Sequence, residues 1–594
     1  MRLAGALLPL SMLTACGGED SAPTERDPCN LPEKSVPTPA LSTPRWAFEP
    51  WISKDISSAE DTRAFVKGFR DRDIPVGAVV LDSPWETHYN TFVPHPERYP
   101  DFSGLVEELH ADDIRVVLWI TQMVNVTGYD FEPGGDSYVG PSPNLEEGER
   151  CGFFVNEAER YQWWKGSGAA LDFFNPKAVA WWHEQQDPLY AQGLDGWKLD
   201  FGDEYVSTTP IVTAAGEKTK QEYSEEYYRD FFAYGRQRRG DEFVTMVRPY
   251  DRSYGFPGRF FARPEHAPVG WVGDNRRDFV GLADALDHLF RSAKAGYSTI
   301  GSDIGGYLDR DDEGLLGPDI PFDTLVFARW TAAGAMMPFM QLHGRANITP
   351  WTVPDHADET VALYRYWATL HHELVPFFFS LSEQALGGAP TPMRPIGDEA
   401  SWPADYRYQL GEAFLVAPIL DATGTRDVPL PSGARWLDWW KLESDWLDGG
   451  QTLGAVSQPD RARLPLYVRE GAIIPLDTRS DVTGIGTPAH AGHLTLLVFP
   501  GPNASSFELH DADEQTTTLG TSTGTLTLSR RALPVWARVR VGVPPSGVSL
   551  DGAALEQASS RADLEARPSG WFYDGAARAL WLKLEKGGAA ALAW

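Results

Sequence analysis

The chain has 594 residues, with 52 Lys and Arg against 83 Asp and Glu, so its formal net charge is −31. This length exceeds what one hydrophobic core supports and predicts roughly two to four domains. The acidic balance argues against nucleic acid as a partner, because phosphate binding needs clustered basic side chains.

The N-terminus is predicted to be a targeting segment. An apolar run from Leu3 to Leu13 is too short for a permanent membrane span and ends in Leu13-Thr14-Ala15-Cys16, which resembles a bacterial lipobox. The resemblance implies a signal peptide at residues 1–15 and acylation of Cys16, so that the protein is exported and held in the cell envelope by a lipid anchor. Gly17, in place of an aspartate, favours the outer membrane. The alternative is an ordinary secretory signal with an incidental cysteine.

Residues 16–44 are rich in Pro, Ser, Thr and acids, which predicts a flexible tether. Three cysteines are too few for a disulfide scaffold. With Cys16 acylated, Cys29 and Cys151 either pair in an oxidising compartment or stay free, and the sequence does not choose. No Cys/His spacing suggests zinc, so neither a metal nor an organic cofactor is expected.

Residues 45–375 alternate short apolar segments with amphipathic helical patterns, which predicts an α/β fold, a (β/α)8 TIM barrel. Two long insertions, residues 125–165 and 249–268, leave from the strand ends where such a barrel builds its substrate pocket. The predicted strands are Trp46–Ile52, Val76–Asp82, Arg115–Thr121, Gly196–Phe201, Phe243–Arg248, Val269–Asp274, Ser298–Ile304 and Ala335–Leu342.

After residue 375 short alternating strands and Gly/Pro/Asp turns take over, as in His493-Leu-Thr-Leu-Leu-Val-Phe499. This pattern predicts C-terminal antiparallel β-sandwich structure. We expect a proximal β-sandwich at residues 376–480 and a distal β-rich domain at residues 481–594.

The segment Gly193-Leu-Asp-Gly-Trp-Lys-Leu-Asp-Phe-Gly-Asp-Glu204 is the most informative in the chain, because an apolar strand ends there in Lys198 and the acids Asp200, Asp203 and Glu204. Carboxylates at the end of a barrel strand are more often catalytic than structural, since the interior behind them is packed and the mouth is open. A second acid follows the sixth strand in Gly270-Trp-Val-Gly-Asp-Asn275. Two acids on separate strand ends, in a chain with 22 tryptophans that can stack on sugar rings, indicate acid/base chemistry on a sugar.

With these motifs the chain resembles glycoside hydrolase family 31, the retaining α-glycosidases, over residues 46–471. Lys198-Leu-Asp-Phe-Gly-Asp-Glu204 is similar to the family's nucleophile motif, and Trp271-Val-Gly-Asp-Asn275 to its acid/base motif. Three further segments are similar to motifs before the fourth strand and on the seventh and eighth: Ala169-Ala-Leu-Asp-Phe-Phe-Asn-Pro176, Gly301-Ser-Asp-Ile-Gly-Gly-Tyr307 and Met337-Pro-Phe-Met-Gln-Leu-His-Gly344.

The resemblance implies that Asp200 is the nucleophile and Asp274 the acid/base of a double displacement. Asp200 must be ionised, which the neighbouring Lys198 would favour; the alternative is a purely structural ion pair between them. Asp274 needs a raised pKa, which burial beside Trp271 would provide; the alternative is a helix cap. Retention further requires the two carboxyls to lie about 5–5.5 Å apart.

The resemblance also implies a substrate-binding set. Asp82 would bind a sugar hydroxyl, His343 would hydrogen-bond the sugar in the −1 subsite, Asp303 would line the pocket floor and Trp119 would form an aromatic wall. The structural alternatives are a turn cap for Asp82, core positions for Trp119 and His343, and loop support for Asp303. The full set is Asp82, Trp119, Lys198, Arg248, Trp271, Asp303 and His343, where Arg248 is our choice for the substrate arginine and Arg263 is its rival.

Two departures from the family bear on specificity. Members carry a large β-sandwich before the barrel, whereas here the tether precedes Trp46, which predicts a more open or differently walled pocket. In Asp82-Ser-Pro-Trp-Glu-Thr-His88, Glu86 and His88 would approach the sugar from a new side. Glucose, xylose, galactose and N-acetylgalactosamine all stay open as the sugar.

The sequence thus predicts a retaining hydrolase of terminal α-glycosidic bonds, acting on an oligosaccharide or glycoside through a covalent intermediate on Asp200. One alternative is a surface glycan-binding protein that kept the barrel and lost catalysis. Another is transglycosylation or glycan lysis from the same intermediate. The sequence predicts neither the linkage nor the oligomeric state.

Overall fold

The computed structural model describes residues 26–33, 35–130, 132, 134–311, 317–458, 460–585 and 588–594. The predicted signal peptide and Cys16 lie outside the described residues, so the lipid anchor stays a prediction.

Eight parallel strands close into a barrel in chain order, the last strand pairing with the first. Each overlaps a predicted segment, and the predicted (β/α)8 barrel with C-terminal sheets is confirmed. The strands, β1 to β8, are Trp51–Lys54, Ala78–Leu81, Arg115–Ile120, Gly196–Leu199, Val244–Val247, Val269–Val272, Ile300–Ile304 and Gln341–Leu342.

The barrel interior is filled by apolar side chains from alternate strand positions, among them Val80, Val117 and Met246. The first strand begins later than predicted because Arg45–Phe48 forms a 3-10 turn. Trp46 on that turn stacks on Trp51 with 5.3 Å between ring centroids. Trp46 therefore covers part of the amino-terminal end of the barrel, and sites of such barrels lie at the carboxyl end.

Helices follow every barrel strand except β5. Most of them start at a polar cap: Ser58 accepts from the backbone N–H of Asp61, and Thr219 forms a capping box with Glu222. Between β5 and β6, residues 249–268 form the strand pair Tyr250–Asp251 and Arg259–Phe260 with 3-10 turns. The helices are Ala59–Arg70, Phe102–Ala111, Pro176–Ala191, Lys220–Arg239, Phe279–Lys294, Thr324–Gly334 and Ala357–Glu373, followed by Val375–Leu386.

The insertion after β3 is a small subdomain at the barrel mouth. It contains helix Leu145–Cys151 and a three-stranded sheet of Met123–Gly128, Tyr161–Trp163 and Gly166–Ala170. A disulfide joins Cys29 to Cys151, so the tether is fixed covalently to this insertion.

The described residues of the C-terminal part form sheets around three further clusters of buried apolar side chains. The first sheet contains Met393–Pro395, Tyr408–Leu410, Phe414–Val416, Arg435–Asp438, Leu447–Asp448 and Leu466–Arg469, beside the pair Thr425–Pro429 and Thr452–Ser457. The second contains Ile473–Leu476, Leu494–Val498, Val535–Arg540, Ser569–Asp574 and Ala579–Leu584. The third contains Ser505–His510, Thr516–Ser522, Thr525–Leu528, Ser549–Leu550, Ala553–Ala554 and Ala590–Ala593. Within the described ranges, no helix has the length and apolar character needed to span a bilayer.

Candidate active site

Every barrel strand delivers a polar or aromatic side chain to the carboxyl end of the barrel, where the strands open to the surrounding loops. All these side chains are largely buried, and they converge because closing the barrel brings the eight strand ends into one ring. In strand order they are Asp55, Asp82, Trp119, Asp200, Arg248, Asp274, Asp303 and His343.

Asp200 is held ionised by its neighbours. Its Oδ1 accepts hydrogen bonds from Arg248 Nε at 3.0 Å and from the backbone N–H of Phe201 at 2.9 Å, and its Oδ2 accepts from Trp119 Nε1 at 2.9 Å. Burial alone would raise the pKa of Asp200, but the charges of Arg248 and Lys198 and these hydrogen bonds outweigh burial and lower it. An ionised carboxylate fixed in this way is suited to nucleophilic attack.

Asp274 has the opposite environment. Burial and the negative charges of Asp200, Asp251 and Asp303 together raise its pKa to about 7, although the charge of Arg248 partly offsets them. Its backbone is in the left-handed region at φ 58°, which a residue other than glycine seldom adopts. A carboxyl that is partly protonated near neutral pH can donate its proton to a leaving oxygen and later take one from water.

Arg248 bridges the two acids. Its Nη2 donates to Asp200 Oδ1 at 2.9 Å and also to Asp274 Oδ2, while its Nη1 donates to Asp251. Two oxygens that bond one nitrogen lie no more than about 6 Å apart. For the two bonded oxygens this limit is compatible with the about 5–5.5 Å between the carboxyls of retaining glycosidases.

A second group of charged side chains, the polar cluster, lies beside the acid pair and consists of Asp55, Asp82, Lys198, Asp303 and His343. Lys198 Nζ donates to Asp82 Oδ2 at 2.6 Å and lies 3.3 Å from His343 Nδ1. His343 Nε2 lies 2.9 Å from Asp55 Oδ1, and its Nδ1 lies 3.5 Å from Asp303 Oδ2. The cluster therefore places three acids around two cations in a buried site, where a substrate hydroxyl can both donate and accept.

The protonation of His343 and Asp55 follows from their burial and the charges around them. Burial and Lys198 lower the pKa of His343, but the charges of Asp55 and Asp303 outweigh them and raise it to about 10. Burial, together with the charge of Asp82, raises the pKa of Asp55 to about 6. At neutral pH His343 is thus an imidazolium that donates from both ring nitrogens.

Asp55, Asp82 and His343 are also the one group, among the residues the structure describes, whose ligand atoms lie close enough together for a metal ion, all within 4.8 Å of one another. Lys198 already supplies a positive charge to Asp82, and His343 supplies one to Asp55. This donor set is satisfied by cationic side chains and fits hydrogen bonding better than metal coordination.

The sequence-predicted residues are brought together, but three have contacts other than those expected. Lys198 bonds Asp82 rather than Asp200, although its charge still acts on Asp200. Trp119 donates a hydrogen bond to Asp200 as well as bordering the pocket. Trp271 is 1% exposed, in the barrel interior, with its ring 4.6 Å from the guanidinium of Arg248. Trp271 therefore packs against Arg248 from the barrel interior rather than bordering the pocket.

The structure also separates residues that the sequence left equivalent. Arg263 pairs with Glu225 on the surface, so Arg248 is the arginine in the site. Asp203 and Glu204 face away from Asp200, because the chain turns into a 3-10 helix after Phe201, and both pair with Arg259.

Glu86 and His88, which the sequence predicts to approach the sugar from a new side, both have partners in the surrounding loops. Glu86 accepts the backbone N–H groups of Thr91 and Phe92 in its own loop. His88 stacks on Tyr138 of the insertion at 4.0 Å.

Sequence reasoning missed Asp55 and Asp251. Asp55 directly follows β1, and the signal was present in Ile52-Ser53-Lys54-Asp55, but the predicted strand ended at Ile52. Asp251 lies in the insertion after β5 and its carboxylate bonds Arg248. Nothing in the local sequence distinguishes it from Glu265, the other acid of that loop.

Comparison with known proteins agrees with this fold. Residues 40–381 match the family described as "Glycosyl hydrolases family 31 TIM-barrel domain", and residues 389–474 match its C-terminal domain. An alpha-xylosidase of Emericella nidulans is 25% identical over 464 residues, covering 74% of this chain and 54% of the relative. An isomaltosyltransferase of Sporosarcina globispora is 22% identical over 597 residues, covering 91% of this chain and 52% of the relative. The chain thus spans about half the length of these relatives.

Among solved structures, the cycloalternan-forming enzyme from Listeria monocytogenes in complex with a pentasaccharide substrate has the same fold. It superposes with a TM-score of 0.76 at 21% identity, covering 93% of this chain and 55% of that chain.

Proposed function

The chain belongs to glycoside hydrolase family 31, and on that premise we propose that it is a retaining α-glycosidase that cleaves terminal α-linked sugars. The observation that carries the proposal is the acid pair bridged by Arg248. Asp200 has a lowered pKa and Asp274 a pKa raised to about 7, although both bond the same guanidinium nitrogen. Paired carboxyls whose environments push their pKa values apart supply the nucleophile and the acid of a double displacement.

In the first step Asp200 Oδ attacks the anomeric carbon while Asp274 donates its proton to the glycosidic oxygen. The C–O bond to the leaving group breaks, and a glycosyl ester on Asp200 forms. In the second step Asp274, now a carboxylate, takes a proton from water, whose oxygen attacks the same carbon and releases Asp200. Arg248 remains bonded to both acids, so it opposes drift of either carboxyl away from the anomeric centre.

We assign the polar cluster to the hydroxyls of the terminal sugar. Its five side chains present ionised donors and acceptors at fixed positions, and such a site rejects an epimer whose hydroxyl leaves one of them unpaired. The identity of the terminal sugar is a separate part of the proposal. Relatives named alpha-xylosidase and alpha-glucosidase favour xylose or glucose, and galactose and N-acetylgalactosamine stay alternatives.

Transglycosylation is a second candidate function, favoured by a specific observation. The isomaltosyltransferase relative covers 91% of this chain. Such an enzyme would share the first step and transfer the glycosyl group to a sugar hydroxyl instead of water. The intact acid pair disfavours a glycan-binding protein without catalysis, because binding alone needs no such difference in pKa.

The cellular location is a further proposal. We propose export followed by lipid anchoring through Cys16, and the Cys29–Cys151 disulfide supports an oxidising compartment.

The test combines a substrate panel with a nucleophile variant. Wild-type protein is assayed on p-nitrophenyl α-glucoside, α-xyloside, α-galactoside and α-N-acetylgalactosaminide, and NMR of the products distinguishes hydrolysis from transfer. We expect one of these glycosides to be cleaved and Asp200→Ala to lower kcat by roughly 10⁴-fold or more. Azide should then enter the vacated space, attack the anomeric carbon and yield the β-glycosyl azide.

Asp203→Asn is the matched control, since it changes an acid of the same motif that pairs with Arg259 outside the site. Circular dichroism of both variants checks the fold. Cleavage of no aryl α-glycoside, or full activity of Asp200→Ala, would refute the proposal.

A further inference from the structure

A cavity of about 300 Å³, which we call the base cavity, lies where the barrel meets the C-terminal sheets. Arg45 lines it from the 3-10 turn before β1, and Pro376 lines it from the first turn of the following helix Val375–Leu386. Leu494 and Leu509 line it from the second and third C-terminal sheets. Because Arg45 belongs to the turn at the amino-terminal end of the barrel, the base cavity lies at the opposite end of the barrel from the acid pair.

The walls of the base cavity are held together by direct bonds. The backbone N–H of His510 donates to Ser380 Oγ at 3.0 Å, and Gln384 Nε2 donates to the backbone oxygen of Glu508 at 2.7 Å. Both bonds join the helix that contains Pro376 to the strand that contains Leu509. A space of this size between elements bonded in this way is unusual, because protein interiors hold few voids larger than a water molecule.

Arg45 is the one charged side chain lining the base cavity that has no ion pair among the residues the structure describes. Its guanidinium has no hydrogen-bond partner there either, and its Nη1 is buried. The acids that line the cavity are already paired: Asp477 bonds Arg479 at 2.7 Å, and Asp511 lies 3.5 Å from Arg530. The cavity therefore contains a positive charge that its own wall leaves unmatched.

The surroundings of Arg45 do not make up for this missing partner. Burial lowers its pKa, and the charge of Asp477 opposes burial only from beyond ion-pair distance. The ring of Phe379 lies 5.8 Å from the guanidinium and offers no oxygen acceptor. His493, which also lines the cavity, is neutral at pH 7, since burial and the charge of Lys583 lower its pKa. A guanidinium that loses water without gaining an acceptor costs free energy, which a bound oxyanion would recover.

The rest of the wall indicates the body of the ligand. Pockets that bind small molecules have volumes of about 300–1,000 Å³, with mostly apolar walls and a few polar groups that fix orientation. The base cavity lies at the lower end of this range, so its occupant is about the size of a monosaccharide. The apolar part of its wall consists of Pro376, Leu476, Leu494, Leu509 and Leu533.

We propose that the base cavity binds a small organic carboxylate, with its carboxylate on Arg45 and its carbon skeleton against the leucines. The planar fork of a guanidinium matches a carboxylate with two parallel hydrogen bonds. Two sources share this chemistry, a sugar acid and an aliphatic acid of similar size. The inference adds a second binding site and does not depend on the proposed glycosidase function.

The experiment is isothermal titration calorimetry of the whole chain with D-glucuronate and with hexanoate, at pH 7 and constant ionic strength. D-Glucose and 1-hexanol are the uncharged counterparts. We expect at least one carboxylate to bind, and Arg45→Gln to weaken that binding by about ten- to hundredfold, because a charged hydrogen-bonded pair is lost. The uncharged compounds should show no binding that depends on Arg45.

Two further variants sharpen the comparison. Leu533→Trp enlarges a partly buried side chain of the wall and should abolish carboxylate binding although Arg45 is intact, because the cavity is filled. It also gives the test independently if Arg45→Gln does not fold. Arg435→Gln is the matched control, since it removes the same charge from a half-exposed arginine that pairs with Glu470 on another sheet. It should leave the affinity unchanged.

Thermal unfolding of the ligand-free protein separates binding from folding. Since Arg45 has no polar partner in the described part of the chain, Arg45→Gln should leave Tm unchanged or raise it. A Tm lowered by several degrees would show that Arg45 is a structural residue, and would contradict the inference.

The other outcomes are equally decisive. If neither carboxylate binds the wild type, or if binding is unchanged in Arg45→Gln and Leu533→Trp, the base cavity is not the site and the inference is wrong. If sulfate binds as tightly as the carboxylates, the cavity holds inorganic anions and the assigned class is wrong. Binding of glucuronate alone would identify a sugar acid, and binding of hexanoate alone an aliphatic acid. Glycoside cleavage is not measured here, so either proposal can fail while the other stands.

Discussion

Asp251 offers the sharpest test of how the charges around Arg248 determine the pKa of the catalytic acid, Asp274. Arg248 donates through Nη1 to Asp251 and through Nη2 to Asp274, so the two carboxylates share one guanidinium. The charge of Asp251 raises the pKa of Asp274, which is about 7. Asp251→Asn removes that charge, retains an oxygen that can accept from Ser253, and leaves more of the positive charge of Arg248 to act on Asp274.

The magnitude follows from the shared guanidinium. Carboxylates on its two terminal nitrogens lie roughly 6–7 Å apart, where two unit charges interact by about 2.5 kcal/mol at an effective dielectric constant of about 20. This energy corresponds to at most about two pKa units. Since relaxation and water reduce it, we expect the pKa of Asp274 to fall by about one to two units.

The sign follows from the role of the proton. Asp274 must be protonated to assist departure of the leaving group, so kcat/KM falls as pH rises through its pKa in the free enzyme. In the wild type this basic limb should lie near pH 7, the pKa of Asp274. In Asp251→Asn it should lie at roughly pH 5–6.

The assay is the pH profile of kcat/KM on a glycoside with a poor leaving group, which depends strongly on the acid. Asp284→Asn is the control: it makes the same change in net charge at a half-exposed position paired with Arg252. A basic limb of Asp251→Asn that stays in place or moves to higher pH would show that Asp251 does not act on Asp274 in this way.

Two further predictions concern residues between which the sequence could not choose. Arg248→Lys should lower kcat/KM by roughly 10²-fold or more, because an ammonium cannot bond both acids and Asp251 together. Arg263→Lys should leave kcat/KM unchanged, since Arg263 pairs with Glu225 on the surface. Steady-state kinetics on the same glycoside measures both variants, and equal effects would contradict the geometry. The double variant Cys29→Ser/Cys151→Ser should lower the free energy of unfolding by about 2–4 kcal/mol, because the disulfide closes a long loop. It should have little effect on kcat, since neither cysteine is near the catalytic acids in the chain. Urea unfolding measures the change in stability, and an unchanged midpoint would show that the tether docks without the disulfide.

The barrel and its acid pair could be predicted from the sequence. Alternation of apolar strands with amphipathic helices is a local pattern, and so is an apolar strand that ends in an acid, as at Leu199-Asp200. Closing the eight strands brings such ends to one mouth, so Asp200 and Asp274 could be placed together without coordinates.

The sequence could not predict which charged side chains pair with one another. Asp200, Asp203 and Glu204 are neighbours in one motif, yet only Asp200 bonds Arg248, because the 3-10 turn directs the other two to Arg259. Arg248 and Arg263 are likewise alike in sequence, and only the fold of the insertion separates them.

The pKa difference between the acids is also a tertiary property. It depends on three carboxylates sharing one guanidinium, and those groups come from β4, β5, β6 and the insertion after β5. A strand pattern records how far each residue is buried, which is a property of the residue and its near neighbours. The partner that a buried charge meets depends on contacts distant along the chain, and these exist only once the barrel has closed.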